Sequence, residues 1–523
     1  MTRPQDNEDR VINTPRPFED KREDIQSPDE AQSEHEDSQL SEHVQPEDTP
    51  EDIPTSTVEE QYEPRAEQRP ATFAQGILTT NLEISLPPTP SSRAPNDHEW
   101  RFKKMTSPCE WIEDYRPGGY HPVHLGDIFK DGEYKILRKL GEGSYSTVWL
   151  ARDLRNSKYV AIKILVGSSE TTSELQILRH ITQNAPTDGA RYVTQLLDEF
   201  EHHGPNGVHR CLVFEPMGPS VNTMVEELPQ FKPRKWGMKI RYPPQMAKNI
   251  LKQSLQALKF LHEQGIAHGD FQPGNIFFAL DDIDSKPEVE LRQKEDVQAK
   301  SISAPVQRLD GKQDRWAPRY LCIAEPLVPS APCDEGSKIK LGDMGGAFFF
   351  TDPPRKLVTP LGLRPPELIL TGEVHRTIDI WSFGCLIFQL ITGQPLICVP
   401  WYESESDQDD DHLLSLTACL GALPNKLYRE WKNSSLYFTP EGKLFNCALG
   451  GVAEGAEPLM VEQMSMEELF DEAAPDLEEQ EAYQVKTLIR WILQYDPAER
   501  PTPSEVLLHP WFSQDATKSG TFK

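Results

Sequence analysis

Asp270 and Asn275, an aspartate and an asparagine five positions apart, stand in the run His268-Gly269-Asp270-Phe271-Gln272-Pro273-Gly274-Asn275, behind an apolar-periodic stretch from Leu251 to Leu261. A carboxylate on such a polar turn can take the proton of an attacking hydroxyl. An asparagine beside it can hold a magnesium ion on the phosphates of ATP. The spacing suits phosphoryl transfer, whose motif is H-R-D-x-x-x-x-N. Two positions depart from that motif. Gly269 stands in place of Arg, and Gln272 stands where Lys is common.

Phosphate chemistry needs a cradle and a cation, and both patterns lie upstream. A strand-like segment through Tyr134, Ile136 and Leu140 leads into Gly141-Glu142-Gly143-Ser144-Tyr145-Ser146, and a second β-rich run, Tyr159 to Ile164, carries Val160-Ala161-Ile162-Lys163. Glycines between two strands let backbone N–H groups approach phosphates closely. The third glycine of such loops is Ser146 here. Lys163 needs a carboxylate partner. Glu174 shares a helix face with the apolar Ile177, Leu178 and Ile181, where an unpaired charge is costly; Glu170, one turn earlier, is the alternative.

Leu212-Val213-Phe214 reads as a buried strand and Glu215-Pro216-Met217-Gly218 as a hinge for the adenine. Residues 249–263 form an amphipathic helix that delivers the Asp270 loop. Residues 281–336 are polar, without periodicity, and are expected to be an inserted, long mobile loop. Lys340-Leu341-Gly342-Asp343-Met344-Gly345 closes the insertion, and Asp343 with Gly345 fits a metal-binding D-F-G turn with Met for Phe. Pro365-Pro366-Glu367 follows. Asp379, in Thr377-Ile378-Asp379-Ile380-Trp381, and Arg500, a partner for Glu367, are expected to be structural.

Composition divides the chain. Its 523 residues carry a net charge of −29, of which residues 1–100 account for −16, from 24 acidic and 8 basic side chains. That segment is rich in Pro, Gln, Ser and Glu with few aromatics, and is expected to be a disordered acidic tail. The remainder is laid out as an extension over 101–133 packing on a folded domain, the domain itself over 134–512, and a short C-terminal tail over 513–523. An acidic chain argues against direct nucleic-acid binding. Eight cysteines without a C-x-x-C pair suggest free thiols in a reducing compartment. No apolar run reaches membrane-spanning length, so no membrane contact is expected.

Taken in order, these motifs resemble the eukaryotic protein kinases over roughly 130–512, and within them the SR-protein kinases. Asp114-Tyr115-Arg116-Pro117-Gly118-Gly119-Tyr120-His121-Pro122-Val123, with Gly126-Asp127-Ile128-Phe129, is close to that family's D-Y-x-x-G-G-Y-H-P-V signature. So are Ser146-Thr147-Val148-Trp149-Leu150 in the glycine loop and His509-Pro510-Trp511-Phe512 near the C-terminus. Asp411-His412-Leu413 through Leu420-Gly421-Ala422-Leu423-Pro424 resembles the family's helix near the substrate groove. The form His-Gly-Asp-Phe-Gln-Pro-Gly-Asn looks like a fungal branch.

The resemblance implies an α+β, bilobal protein kinase fold, with a β-rich N-lobe, a helical C-lobe and ATP between them. It implies a monomer, in cytoplasm and nucleus, that passes the γ-phosphate of Mg2+-ATP to serines of Arg/Ser-rich proteins. Asp270 is then the base, with Gln272 beside it; Lys163 contacts the α- and β-phosphates and Glu174 orients it; Asn275 and Asp343 bind magnesium. Leu140, Gly141, Gly143, Val148, Ala161, Lys163, Glu215 and Met217 would line the ATP site. Six carboxylates within nine residues, Glu403, Glu405, Asp407, Asp409, Asp410 and Asp411, precede the groove helix and would recruit arginine.

The departures bear on regulation and rate. Gly269 removes the buried charge that a phosphorylated activation loop neutralises in many kinases. The only hydroxyl side chains from Asp343 to Glu367 are Thr351 and Thr359, so no phospho-switch is expected there. Gln272 replaces a charge-assisted contact by a neutral one of roughly half the strength. About one to two orders of magnitude in rate would follow if about 1–3 kcal/mol are missing. The alternative is a catalytically weak or dead pseudokinase that serves as a binding scaffold. Pseudokinases usually break the metal and base set, whereas Lys163, Asp270, Asn275 and Asp343 are all present.

Overall fold

Six antiparallel strands build the first lobe: β1 (Ile128–Phe129), β2 (Tyr134–Gly143), β3 (Ser146–Asp153), β4 (Lys158–Leu165), β5 (Leu196–Gly204) and β6 (Gly207–Phe214), in the order β1-β2-β3-β4-β6-β5. The period-2 alternation of β-branched and aromatic residues puts Ile136, Trp149, Ala151, Val160, Ile162, Ile164, Cys211 and Val213 into one buried cluster. Helix α1 (Ser173–Gln183) buries Leu175, Ile177, Leu178 and Ile181. This computed structural model describes residues 100–167, 173–184, 188–235, 238–329, 333–400, 402–439, 442–444, 464–474 and 476–513. The tail expected over 1–100 lies outside them except for Trp100, as do Glu170, Cys447 and all of 513–523 but Ser513.

The second lobe is helical. It begins with β7 (Met217–Ser220), α2 (Val221–Glu227), α3 (Pro244–Glu263), β8 (Ile266–Ala267) and β9 (Ile276–Ala279). After α4 (Glu288–Leu291), within the insertion, come β10 (Ile339–Leu341), β11 (Phe348–Phe349), α5 (Pro366–Leu370) and α6 (Ile378–Thr392). The chain finishes with α7 (Glu405–Leu420), α8 (Asn425–Glu430), α9 (Met466–Ala473), α10 (Glu479–Ile492), α11 (Pro503–Leu507) and α12 (Pro510–Ser513). Helix α6 is apolar almost all round, so it sits in the middle and is covered on every side. Trp381, Phe383 and Leu386 from it meet Leu251, Leu255 and Leu258 of α3 and Val485, Leu488 and Ile489 of α10 in one core. This lobe also carries two short ladders, β10-β9-β7 and β11-β8. The architecture is the expected α+β one, a β-rich lobe followed by a helical lobe.

The insertion differs from the expected mobile loop. Leu291 and Leu327 pack on Leu137, Leu150 and Tyr159 of the sheet, and Ile302 and Cys322 join the cluster on its other face. Its polar residues serve the backbone: Gln293 Oε1 accepts from Lys139 N at 2.9 Å, while its Nε2 donates to Ser301 O and Ile323 O, each at 2.8 Å. A segment without periodicity can therefore be fixed by long-range hydrogen bonds that satisfy its peptide groups. The residues before β1 are fixed similarly, with Phe102, Ile112, Tyr115, Tyr120 and Leu321 of the insertion in one cluster.

Candidate active site

Strand β4 presents Lys163 to the space between the lobes, and two carboxylates meet it. Its Nζ donates to Glu174 Oε1 at 2.6 Å and to Asp343 Oδ1 at 2.7 Å. Glu174 opens α1 on the helix's buried face, where the lysine neutralises it. Burial works against the ammonium, but Glu174 and Asp343 outweigh it and hold Lys163 above the ordinary lysine range. Burial likewise pushes Asp343 up, and the Lys163 charge and hydrogen bond bring it below the usual carboxylate range.

Asp343 has φ +56 and caps the single turn Met344–Gly346, accepting from Gly345 N at 3.3 Å. Met344, in the position expected for Phe, is buried in the main core. His268 joins this turn to the Asp270 loop, since its Nε2 lies 2.9 Å from Gly342 O.

Strand β8 leads into the Asp270 loop and β9 leaves it. Asp270 Oδ1 accepts from Gln272 Nε2 at 2.7 Å, and Oδ2 accepts from Asn275 Nδ2 at 2.8 Å. Burial raises the Asp270 carboxyl above its ordinary range, while Asn275, His268 and Gln272 oppose that shift. Buried Asp379 fixes the loop from below: it accepts from His268 N at 2.8 Å and Gly269 N at 2.9 Å, and lies 2.9 Å from His262 Nε2. Glu367 and Arg500 form a bidentate pair, both bonds 2.7 Å.

Gly269 has φ +71, and a Cβ built there would collide with the Gly346 carbonyl and approach the Phe348 ring. An arginine at this position has no room. The activation segment lies against the glycine instead, held by pairing of Phe348 with Ala267 and Phe349 with Ile266.

A cavity of about 320 Å3 opens between the lobes. Leu140, Gly141, Gly143, Val148, Ala161, Lys163, Glu215 and Met217, the eight positions expected to take ATP, all line it, as do Glu174, Asn275 and Asp343. Asp270 and Gln272 are not among its lining residues. Lining residues that sequence reasoning missed include Thr194, Phe277 and Pro326. Phe277 was accessible from its place two positions after Asn275 on a strand; Thr194 and Pro326 carry no such signal. Hollows of about 700 and 770 Å3 elsewhere touch none of Lys163, Asp270, Asn275 and Asp343.

The acidic run is arranged differently from its expected place before the groove helix. Ser404 caps α7, and Glu405 through Asp411 form its first turns, where carboxylates favour the positive end of the helix dipole. Asp410 turns inward, accepting from Trp431 Nε1 at 2.6 Å, Asn433 Nδ2 at 2.7 Å and Tyr437 Oη at 3.1 Å. It is a structural residue, unavailable to a partner. Asp409 stays half-buried, and burial, with Glu405 beside it, lifts its carboxyl to about 6.

The family model for the protein kinase domain matches residues 134–286 and 333–512. The chain is 32% identical over 422 residues to the serine/threonine-protein kinase SRPK of Physarum polycephalum, across 77% of this chain and 91% of that one. It is 26% identical over 509 residues to protein kinase dsk1 of Schizosaccharomyces pombe (82% and 89% covered). It is 23% identical over 537 residues to human SRSF protein kinase 3 (77% and 90% covered).

Proposed function

The chain belongs to the protein kinase family and, within it, to the SR-protein kinases, ATP-dependent serine/threonine kinases, and from that premise we propose that it phosphorylates serines of Arg/Ser-rich proteins, with Asp270 as base. The observation that carries the catalytic reading is the double ion pair of Lys163 with Glu174 and Asp343 on the cavity wall. It fixes a cation where the α- and β-phosphates would lie. Names of the relatives, SRPK and SRSF protein kinase 3, support the substrate class.

Each residue then has a defined task. Asn275 and Gln272 orient the Asp270 carboxylate, whose raised affinity for a proton suits it to receive one from a serine hydroxyl. Asn275 engages Asp270 through nitrogen, which leaves its carbonyl oxygen for a hard cation, and the Asp343 side chain is 45% exposed. Those two residues fit magnesium, which when bound neutralises charge on the transferring phosphoryl. Gly141 and Gly143 would let the backbone cover the phosphates, and Leu140, Val148, Ala161, Glu215 and Met217 would enclose the base.

The carboxylates of the acidic run other than buried Asp410, namely Glu403, Glu405, Asp407, Asp409 and Asp411, are the surface offered to substrate arginines. The proposed working form is a monomer in cytoplasm and nucleus with no nucleic-acid ligand. Among the described residues no helix is long and apolar enough to cross a membrane.

The test is transfer of labelled phosphate from Mg-ATP to an Arg/Ser repeat peptide by the purified protein, beside Asp270→Asn and Asp343→Ala. Serine phosphorylation that both variants abolish is the expected result. Absence of transfer, with Mg-ATP bound no better than by Asp343→Ala, would leave the scaffold reading in its place.

A further inference from the structure

Lys139 lies in the middle of β2, fully buried, and three separate segments meet at its side chain. Its Nζ pairs with Glu110, lies 2.8 Å from Glu142 Oε2, and donates to Cys322 O at 3.0 Å. Its backbone is held as well, by Gln293 Oε1 and by Glu325 N, which donates to Lys139 O at 2.9 Å. Glu142 belongs to the glycine loop and lines the cavity, whereas Lys139 does not. The Glu142 carboxylate is therefore drawn to a buried cation outside the cavity. One residue further on, Tyr120 Oη donates to Gly143 O at 2.7 Å. Tyr120 is itself buried and held through its own carbonyl by Asn206 Nδ2 at 2.6 Å. Glu110, Tyr120, Gln293, Cys322 and Glu325 all lie outside the residues matched by the family model.

We propose that Lys139 and Tyr120 are positioning residues for the phosphate-binding loop: Lys139 holds the Glu142 carboxylate away from the incoming triphosphate, and Tyr120 fixes the Gly143 peptide. The proposal rests on the reading of this cavity as the ATP site. A carboxylate free to swing toward a polyanion repels it, and beside a protein surface that repulsion exceeds its value in bulk water. Burial opposes the charge on Lys139, yet Glu110 and Glu142 together hold its ammonium above the ordinary range. The cation thus stays available to the loop. In a trans peptide the carbonyl and the following N–H point to opposite sides. Pinning Gly143 O toward the extension therefore fixes the plane of the next peptide, with the Ser144 N–H turned away from the extension. Neither Lys139 nor Tyr120 lines the cavity, so both act through the loop.

The experiment measures KM for ATP, kcat, KM for an Arg/Ser peptide, and thermal melting. Glu110 and Lys139 are removed together, as Glu110→Gln/Lys139→Met, so that neither charge is left buried alone. We expect the ATP KM to rise about tenfold, with kcat and peptide KM within about threefold. Adding Glu142→Gln should bring the ATP KM back to within about twofold of wild type, since the repelling charge is then gone. A raised ATP KM that Glu142→Gln does not lower, or an unchanged ATP KM, overturns the proposal for Lys139. Tyr120→Phe, which deletes only a hydroxyl, should raise the ATP KM about threefold at an unchanged melting temperature. If the double variant does not fold, Tyr120→Phe carries the test, and an unchanged ATP KM there overturns the clamp. Wild-type protein that binds no Mg-ATP would instead sink the reading of the cavity.

Discussion

Thr359 donates its hydroxyl to the carbonyl oxygen of Gly269 at 2.5 Å, and the threonine is 1% exposed. One of the two hydroxyls between Asp343 and Glu367 is thus engaged with the Asp270 loop and closed to a phosphorylating enzyme. Protein made in bacteria and treated with phosphatase should be as active as untreated protein. A loss of activity on phosphatase treatment, traced to Thr351 or Thr359, would show a switch that the structure gives no reason to expect.

Restoring the common arginine should do harm. Gly269→Arg places a side chain at φ +71, costing about 1–2 kcal/mol in backbone strain, and drives its Cβ into the Gly346 carbonyl. Urea denaturation should show a loss of at least that size, with activity falling by about tenfold or more as the activation segment is displaced. Full stability in this variant would mean that Gly269 is not sterically required.

Gln272 is half-exposed and its amide reaches Asp270 at 2.7 Å. A lysine ammonium can donate to the same carboxylate and adds the charge missing near the transferring phosphoryl. Gln272→Lys should raise kcat, by about tenfold at most, with ATP KM little changed. Asp270→Asn should lower kcat by roughly 10²–10⁴. A Gln272→Lys enzyme slower than wild type would show that the surroundings have been rebuilt around the amide.

Peptide binding should depend on pH through Asp409. Its carboxyl titrates at about 6, so it is charged above that pH and neutral below. KM for an Arg-rich peptide should rise as pH falls from 7 toward 5.5, more steeply at low salt, because exposed charge attraction is screened over roughly 8 Å at physiological ionic strength. Asp409→Asn should flatten the profile. An identical profile in that variant would assign the pH dependence elsewhere.

A second pH effect concerns stability. His121, His202 and His209 crowd together, with ring centroids 4.5 and 4.9 Å from His121. Burial, and then the neighbouring imidazoles His202 and His209, lower His121 to about 3, against some support from Asp127. Burial also lowers His209. A histidine depressed in the folded state is protonated first in the unfolded chain, near 6.5. Stability is therefore complete above that pH and declines below it, by up to about 1.4 kcal/mol per pH unit for each such histidine. Denaturant midpoints at pH 7.5 and 5.5 should differ in that direction, and less so in His121→Asn.

The relations legible in the sequence were those in which one residue demanded another. Glu174 on an apolar helix face required a cation, and Lys163 supplies it; Asp379 in an apolar helix required donors, and the backbone of the Asp270 loop supplies them. Lys139 gave no such signal, because a lysine in a β-strand reads as solvated, and two of its three partners lie 29 and 183 positions away. The insertion departs from the expected mobile loop for a related reason. Its order comes from hydrogen bonds such as Gln293 to Lys139, 154 positions apart, which leave no periodicity along the chain. The acidic run also departs from its expected place: instead of preceding the helix it forms the first turns of α7. That its carboxylates open α7, and that Asp410 faces Trp431 instead of solvent, depended on contacts more than twenty residues ahead.

Pro326 belongs to the insertion, yet it lines the cavity alongside Leu140, Met217 and Gly218. It lies outside the part of the chain matched by the protein kinase family model. An inhibitor confined to Glu215–Gly218 stays within the residues that the family model matches. One extended to touch Pro326 meets an apolar wall donated by the insertion, so discrimination in ligand design is to be sought at the mouth of the cleft.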